Sequence, residues 1–591
     1  MTRRIKFSHI IGTALANRYW QIADDFGAPM RAIRLKVVQT PQFNAFPDIV
    51  TQGNLEQGLR ILDGRFVIGS QILDVGAHGD PWSNPAPSER YARRLHSFFW
   101  LDDLASIVTD KRYLRKKPGQ DMRARERARY LVERWVAVYG DWNRYAWQPD
   151  ILTHRVYYWL KNWNILLSGE TDGKSTEQPD INLVKQLKRL RLSYKRVSPG
   201  LSKFKAAATI VIAGACIESL KSGFLDRGLD WLDDEIEKQI LLDGGHASRN
   251  VDTTIQLLEI LMVTDSALEA AGISGSPDIR RAIDRIVPFV SFMCAPDGGT
   301  FSFNGSGIGQ VKPIRELVAR ARVKARQFGV APNSKYQRLE RNDTVLFMDA
   351  GSSPDRPYDF EAHLAPLAFE LANNAGRLIV NCGWNADQPS GWHEAVRATS
   401  AHSTLILDGA NAGDILAPGF ARRVLGDAIV RDAGPVTSSR KEEENGIWLE
   451  GVHEGYRKQY GLAHRRRIYM DHRGRDIRGE DSLFVPLGDS PVRNDEIPFE
   501  IRFHLHPDVK VTLAQDENSA LLIQPGKTGW RFRTDAGPLK LEKSVYLAKG
   551  NKPRRTEQLV IYGRAYGDSD GQTKSNRVRW SLKRMGEIDA F

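Results

Sequence analysis

The sequence predicts a multidomain α+β chain with its two parts in series, a helical domain first and an antiparallel β-sandwich second. Three observations carry this. The chain is 591 residues long, well above the size at which a single core stops growing. From about Ser88 to Met293 apolar residues recur at helical spacing. After roughly Gly329 the period falls to two, in short β-rich runs separated by Gly, Asn, Asp and Pro. With 41% hydrophobic and 26% charged residues the chain has ample material for cores and does not read as disordered.

Residues 1–60 read as a loosely ordered N-terminal extension. Their start, MTRRIKFSHIIGTALANRYW, is basic, but His9, Asn17 and Arg18 interrupt any apolar run. An amphipathic helix is therefore expected there, not a secretory signal. Residues 61–329 form the helical domain, with helices in ERYARRLHSFFWLDDLASIV, RARYLVERWVAVYGDW, ILTHRVYYWLKNWNILLSG, KAAATIVIAGACIESLKSG and TIQLLEILMVTDSALEAAG. Such helices with modest loops make a bundle, a solenoid or a toroid. TDGKSTEQPD (Thr171 to Asp180) reads as a connection, and the polar VAPNSKYQRLERND as the joint to the second domain. Residues 330–591 supply the strands, among them TVLFMDAG, RLIVNCG, STLILDG, RRRIYMD, FEIRFHLH, WRFRTDAG and QLVIYG, with no long helical pattern between them.

Net charge is +12 and the pI about 9.4, a balance that favours acidic partners. No helix-turn-helix, zinc-finger or RNP-like pattern occurs, so nucleic acid is not the expected partner. Aromatic-rich helices with basic residues suit an acidic polysaccharide better. No apolar stretch is long enough for an integral membrane segment. Cys216, Cys294 and Cys382 are too few and too scattered for a disulfide framework or a thiol redox motif.

The densest polar cluster in the helical half is DGGHASRN, Asp243 to Asn250, directly after the run LDWLDDEIEKQILL. Its glycines suit a helix end, which explains them without any ligand. Its His246, Arg249 and Asn250 also combine an imidazole, a guanidinium and an amide suited to holding a carboxylate and taking a proton. In the β half His363, His402, His453, His464, His504 and His506 stand near strand ends, without the spacing of a local zinc motif. Tyr456 follows His453 closely enough to pair a phenol with an imidazole. RARERAR (Arg123 to Arg129) reads as a solvated helix face, and HRRR (His464 to Arg467) as a strand with alternate residues on opposite faces.

Taken together, these motifs resemble the bacterial heparinase II/III-like proteins. The resemblance rests on LHSFFWLDDL with Trp100, QILLDGGHASRN and DGGTFSFNGSG (Asp297 to Gly307) in the helical half. In the β half it rests on HLAPLAFEL, RLIVNCG, RATSAHSTLILDG, HEGYRKQYGLAHRRRIYMD and FHLHPDV. It implies an α/α toroid, an incomplete helical barrel, followed by the sandwich, and β-elimination on uronate-containing polysaccharides. Lytic cleavage removes the C5 proton of a uronic acid and expels the sugar at C4, so the site must neutralise the carboxylate and supply a base and an acid. The resemblance implies His246, His402 and Tyr456 as catalytic groups, gathered in a cleft between the domains. Arg249, Asn250, His154, Arg155 and His453 are implied as substrate-binding groups.

The chain also departs from that pattern. Where better-known lyases carry something similar to DGGHFERSPMYH, this chain has DGGHASRNVDTT, with Thr253 at the position of a tyrosine often implicated in proton transfer. The Asn-His pair expected earlier in the toroid is not evident around SPGLSKFKAAATIVIAG. No cofactor is required by the chemistry. A structural zinc is implied at His363, Asn381 and His402, with a neutral asparagine in place of an anionic ligand. A lyase acting on acidic polysaccharide is thus the first reading. The alternative is a non-catalytic polysaccharide-binding or assembly protein that retains the fold. A hydrolase would need two facing carboxylates, and although Asp243 and Asp252 are available nothing in the sequence pairs them. The resemblance implies work in the cell envelope or periplasm, and the missing signal makes the cytoplasm the alternative.

Overall fold

The computed structural model describes residues 7–27, 35, 40–48, 53–169, 178–324, 328–385, 388–489, 492, 495–548, 552–566 and 576–585. Helices occupy the chain from Phe7–Phe26 to Val311–Arg320, interrupted by one small hairpin, Arg65–Ile68 with Gln71–Asp74. They form an open helical array, not a closed barrel, and an antiparallel sandwich follows. The N-terminal stretch contains the expected helix at Phe7–Phe26 and a second at Leu55–Leu62. Of the TDGKSTEQPD connection, residues 171–177 lie outside the described residues, and Pro179 opens the next helix.

Local sequence explains the helix starts. Asn54 accepts from the backbone N–H of Gln57, Ser88 from that of Tyr91, and Asn250 from that of Thr253, each satisfying a donor the helix leaves unpaired. Pro149, Pro179 and Pro277 stand in the first turn, where a missing N–H costs nothing. The Leu201–Cys216 helix is apolar on nearly every side, Lys205 and Thr209 excepted, and buried from Phe204 to Cys216, which makes it the centre of the array. Beside it Trp82, Phe98, Trp100, Trp135 and Trp159 pack in stacked, tilted and edge-to-face pairs, with centroids 4.9 to 6.4 Å apart.

Among the described residues one sheet of the sandwich has nine strands. Its order is Leu539–Tyr546, Arg554–Tyr566, Glu496–Leu505, Gly376–Val380, Phe369–Asn373, Thr344–Asp349, Tyr336–Arg341 and Val330–Ala331, with Leu405–Leu407 also on Glu496–Leu505. The other has eight, in the order Val436–Glu443, Gly446–His453, Ala463–Asp471, Asp476–Phe484, Arg577–Arg584, Gly529–Thr534, Ser519–Ile523 and Lys510–Leu513. Phe369 and Phe503 of the first meet Trp580 and Phe532 of the second, Phe369 stacking on Trp580 at 5.5 Å. The alternation read in HRRR holds. His464 and Arg466 point inward and are fully buried, while Arg465 and Arg467 face out.

The VAPNSKYQRLERND run, expected as the joint, stands where helices give way to the sandwich and is itself strand. It forms the first two strands of the nine-stranded sheet, and Tyr336 is buried completely. Tyr336, Val345 and Phe347 belong to the same apolar cluster as the helices, with Phe347 against Phe292 and Phe301. The helical core therefore continues into the sandwich without a break.

Candidate functional site

The DGGHASRN turn follows the Glu218–Gln239 helix, as its glycines suggest. Gly244 takes φ +91°, and a Cβ there would meet the carbonyl oxygen of Arg285 at 2.0 Å, so both backbone angle and space demand glycine. The turn places His246 inside. Its Nδ1 accepts from the Ser248 backbone N–H at 3.0 Å, so the ring proton sits on Nε2 and is donated to Gln239 Oε1 at 2.9 Å. Burial pushes the pKa of His246 down to about 3. The ring is neutral with its lone pair and its proton both committed.

Arg249 is equally committed, as a clamp between the domains. It pairs with Asp349 and donates to the backbone carbonyls of Ser334 at 2.8 Å and Ser352 at 2.9 Å. Its guanidinium lies over the Tyr336 ring at 4.7 Å, and Tyr336 Oη donates back to the Arg249 carbonyl at 2.7 Å. Asp243 accepts from the backbone N–H groups of Asn333 and Ser334. Thus the turn read as a substrate loop is a joint that locks toroid to sandwich. DGGTFSFNGSG does the same. Asp297 holds Arg377 in a fork, and Asn304 donates to Asp349.

His363 and His402 stand together, as the resemblance implied. The backbone N–H of Gly305 donates to His363 Nε2 at 3.0 Å, so His363 Nδ1 carries the proton and donates to His402 Nε2 at 2.9 Å. His402 Nδ1 then donates to the Ala398 carbonyl at 2.9 Å. Burial lowers the pKa of both rings, to about 4 for His402. Neither ring has a lone pair left for a metal. Asn381 turns elsewhere, its Oδ1 accepting from the Ser403 N–H and its amide donating to Glu370. The donor set therefore does not fit zinc. Among the described residues no group of three or more His, Cys, Asp or Glu side chains is placed to hold a metal ion.

Tyr456 and His453 lie buried inside the sandwich. Tyr456 is 1% exposed, and its hydroxyl donates to the Leu405 carbonyl at 3.0 Å. His453 donates to His464 Nδ1, and His464 to Asp481, which also holds Arg466 and Trp580 Nε1. That buried chain joins strands and reaches no solvent. Arg155 is likewise internal, bound to Gln186 Oε1 at 2.6 Å and to the Ala146 carbonyl at 2.7 Å, over the Trp135 ring.

What does line an opening is a different set. A pocket of about 180 Å³ in the helical array is walled by Phe99, Asp102, Asp103, Tyr157, Tyr158, Lys205, Gln256 and Glu259. Lys205 lies against the Tyr157 and Tyr158 rings, 4.9 Å from each centroid, and 3.3 Å from His154 Nδ1. Burial, opposed by Glu259, leaves the Lys205 pKa lowered to about 8, and burial raises Asp103 to about 7. Below them Lys161 is shared between Asp102 and Glu259. Asp252 lies on the Gln256 and Glu259 face of one helix, and its carboxylate accepts from the Gly307 N–H. Asn250 donates to Glu361 at 3.2 Å, and the Asp252 charge adds to burial in raising the Glu361 pKa. Of the residues named from sequence, only His154 is tied to this pocket, through its contact with Lys205.

Residues 323–581 match the family model described as heparinase II/III-like, C-terminal. FtsZ-localized protein C of Caulobacter vibrioides is 30% identical over 565 residues, spanning 94% of this chain and 93% of that protein. This chain belongs to the heparinase II/III-like family. Solved structures agree on the fold. Heparinase III superposes with a TM-score of 0.68 at 14% identity, covering 99% of this chain and 93% of that one. A heparan sulfate lyase HepC mutant from Pedobacter heparinus gives 0.57 at 15% identity, covering 100% and 93%.

Thr253 stands partly exposed at the start of the Val251–Ala270 helix, where no phenol is supplied. Lys205, Tyr158, Asp103 and Glu361 escaped the sequence reading because they sit in unremarkable runs. Lys205 interrupts KFKAAATIVIAG, a cation in an otherwise apolar helix, and that was the one available signal.

Proposed function

We propose that this lyase-fold protein works by binding and not by cleavage, in the company of FtsZ, for which its full-length relative is named. One observation carries the reading. Each side chain expected to move a proton is buried and already committed: His246 to Ser248 and Gln239, His402 to His363 and Ala398, Tyr456 to Leu405. β-Elimination needs a base with a free lone pair beside the C5 proton and a donor array for the uronate carboxylate. Arg249, the intended donor, is spent on Asp349 and two carbonyls.

A second reading, lysis of an acidic polysaccharide, keeps the support of the Lys205, Tyr158 and Asp103 cleft, where perturbed groups face an opening. One experiment separates the two. Purified protein is incubated with heparan sulfate, hyaluronan and alginate while the absorbance of an unsaturated uronate is followed, and a parallel sample is tested for pull-down with purified FtsZ. Binding to FtsZ with no absorbance is the expected result. Absorbance that grows with time and is lost in Lys205→Ala would replace the binding reading with the lytic one.

A further inference from the structure

The outer face of the eight-stranded sheet, remote from the cleft, carries a concave patch of about 860 Å³. The geometry points to this patch as the docking site for an acidic polypeptide segment that also carries an apolar side chain. This rests on the binding reading above and names the surface that would do it. Three rows of side chains cross the strands. In the first, Trp448, Tyr469, Arg478, Ser581 and Arg533 are direct cross-strand partners in succession. In the second, Glu450, Arg467, Glu480 and Arg579 alternate in sign. In the third, Asp476, Lys583 and Arg531 stand abreast.

The rows differ at their two ends. Trp448 is 47% exposed and leans on Tyr469 with centroids 4.6 Å apart, an apolar platform at one side. At the other side Arg531, Arg533 and Lys583 are exposed, and among the described residues they make no ion pair. Between them Arg467 and Arg579 are held in place by Glu450 and Glu480. Strands lie about 4.8 Å apart, so the first row runs for about 19 Å, the reach of about six extended residues.

Charge selects the occupant. A uniform polyanion such as a uronate polymer or nucleic acid would meet Glu450 and Glu480 on alternate strands of the middle row. A polypeptide can set its acidic residues over Arg531, Arg533 and Lys583 and an apolar residue on Trp448. The surface thus asks for sequence, with charge at one end and a side chain to bury at the other.

The test uses the full chain and a fluorescein-labelled probe peptide of about ten residues, with a leucine–phenylalanine step at one end and consecutive aspartates at the other. Fluorescence anisotropy is read at low salt for wild type, Arg531→Glu/Arg533→Glu, Trp448→Ser and, as a control, Lys540→Glu on the other sheet. The expected result is saturable binding, weakened at least tenfold by the double reversal and by Trp448→Ser, and unchanged by the control. No saturable binding, or equal weakening by Lys540→Glu, would overturn the assignment. So would a heparin oligosaccharide that binds more tightly than the peptide with the same dependence on Arg531 and Arg533. Pull-down with FtsZ that survives the double reversal would sink this surface alone. Unsaturated uronate product would sink the binding reading and leave the anisotropy result standing on its own.

Discussion

At the residue scale the chemistry of this chain is decided by what each polar group already holds. The sequence showed which histidines exist, and their grouping at 363 and 402 was legible through the family resemblance. Their protonation was not, because the donors that fix it come from far along the chain: the Gly305 N–H orients His363 from 58 positions away. The same holds for Arg249, whose partner Asp349 lies 100 positions on. Removing one side of that buried pair strands the other charge, so Arg249→Ala should cost about 3–5 kcal/mol in urea unfolding. Arg249→Lys should recover only part, since a single ammonium cannot serve Asp349 and two carbonyls together. The neutral histidines also set an acid limit. His96, His246 and His504 are lowered to about 3 and His402 to about 4, chiefly by burial, from an ordinary 6.5. As pH falls below about 6.5 the unfolded chain takes up protons that the folded one refuses, so stability is full above that point and is lost toward acid. Seven carboxyls raised by burial, among them Asp103 and Glu370 to about 7, work in the opposite direction, but nine histidines are lowered among the described residues. The urea midpoint should therefore drop between pH 7 and pH 5. His246→Gln should flatten that drop by about 1.4 kcal/mol per pH unit.

At the scale of elements the periodicities were readable and the turns were half readable. Alternation put Arg465 and Arg467 on the face opposite Arg466, the structure makes Arg466 the inward one, and the β-rich runs fall in the two sheets. The glycines of DGGHASRN announced a helix end. What the turn abuts was hidden: Gly244 rests on the Arg285 carbonyl, and a Cβ on Gly245 would stand 2.1 Å from Ser334 Oγ. Gly244→Ala combines a left-handed backbone with a clash against backbone that cannot move aside. It should lower stability by about 2–4 kcal/mol. Gly272, at φ +67° with open space around it, supplies the comparison, and alanine there should cost only about 1 kcal/mol of backbone strain. Equal losses in thermal melting would mean that the turn relaxes and does not brace the joint. That VAPNSKYQRLERND, read as the joint, is itself strand was hidden for a related reason. Its polarity belongs to edge and interface positions, and Tyr336 and Leu339 were too few apolar residues to announce two buried strands.

At the scale of the whole molecule, two domains written in two periodicities behave as one body. One apolar cluster runs from Leu35 and Ile61 through the tryptophans of the array to Tyr336, Val345, Phe347 and Ala372 in the sandwich. Polar ties cross the same boundary, Arg249 to Asp349, Arg377 to Asp297 and Arg338 to the carbonyls of Phe292 and Cys294. An interface of that kind has the character of a core cut in half, and neither half can expose it to water cheaply. The chain should unfold in a single transition, with tryptophan emission and far-ultraviolet circular dichroism giving the same urea midpoint. A fragment of residues 330–591 would bare Phe347 and Tyr336 and leave Asp349 without Arg249, so it should aggregate or stay molten when expressed alone. Two separate transitions, or a monomeric fragment that melts cooperatively, would show that the sandwich closes its own core. In that case the DGGHASRN turn would be free to open toward a ligand, and the groups it now buries would again be available for chemistry.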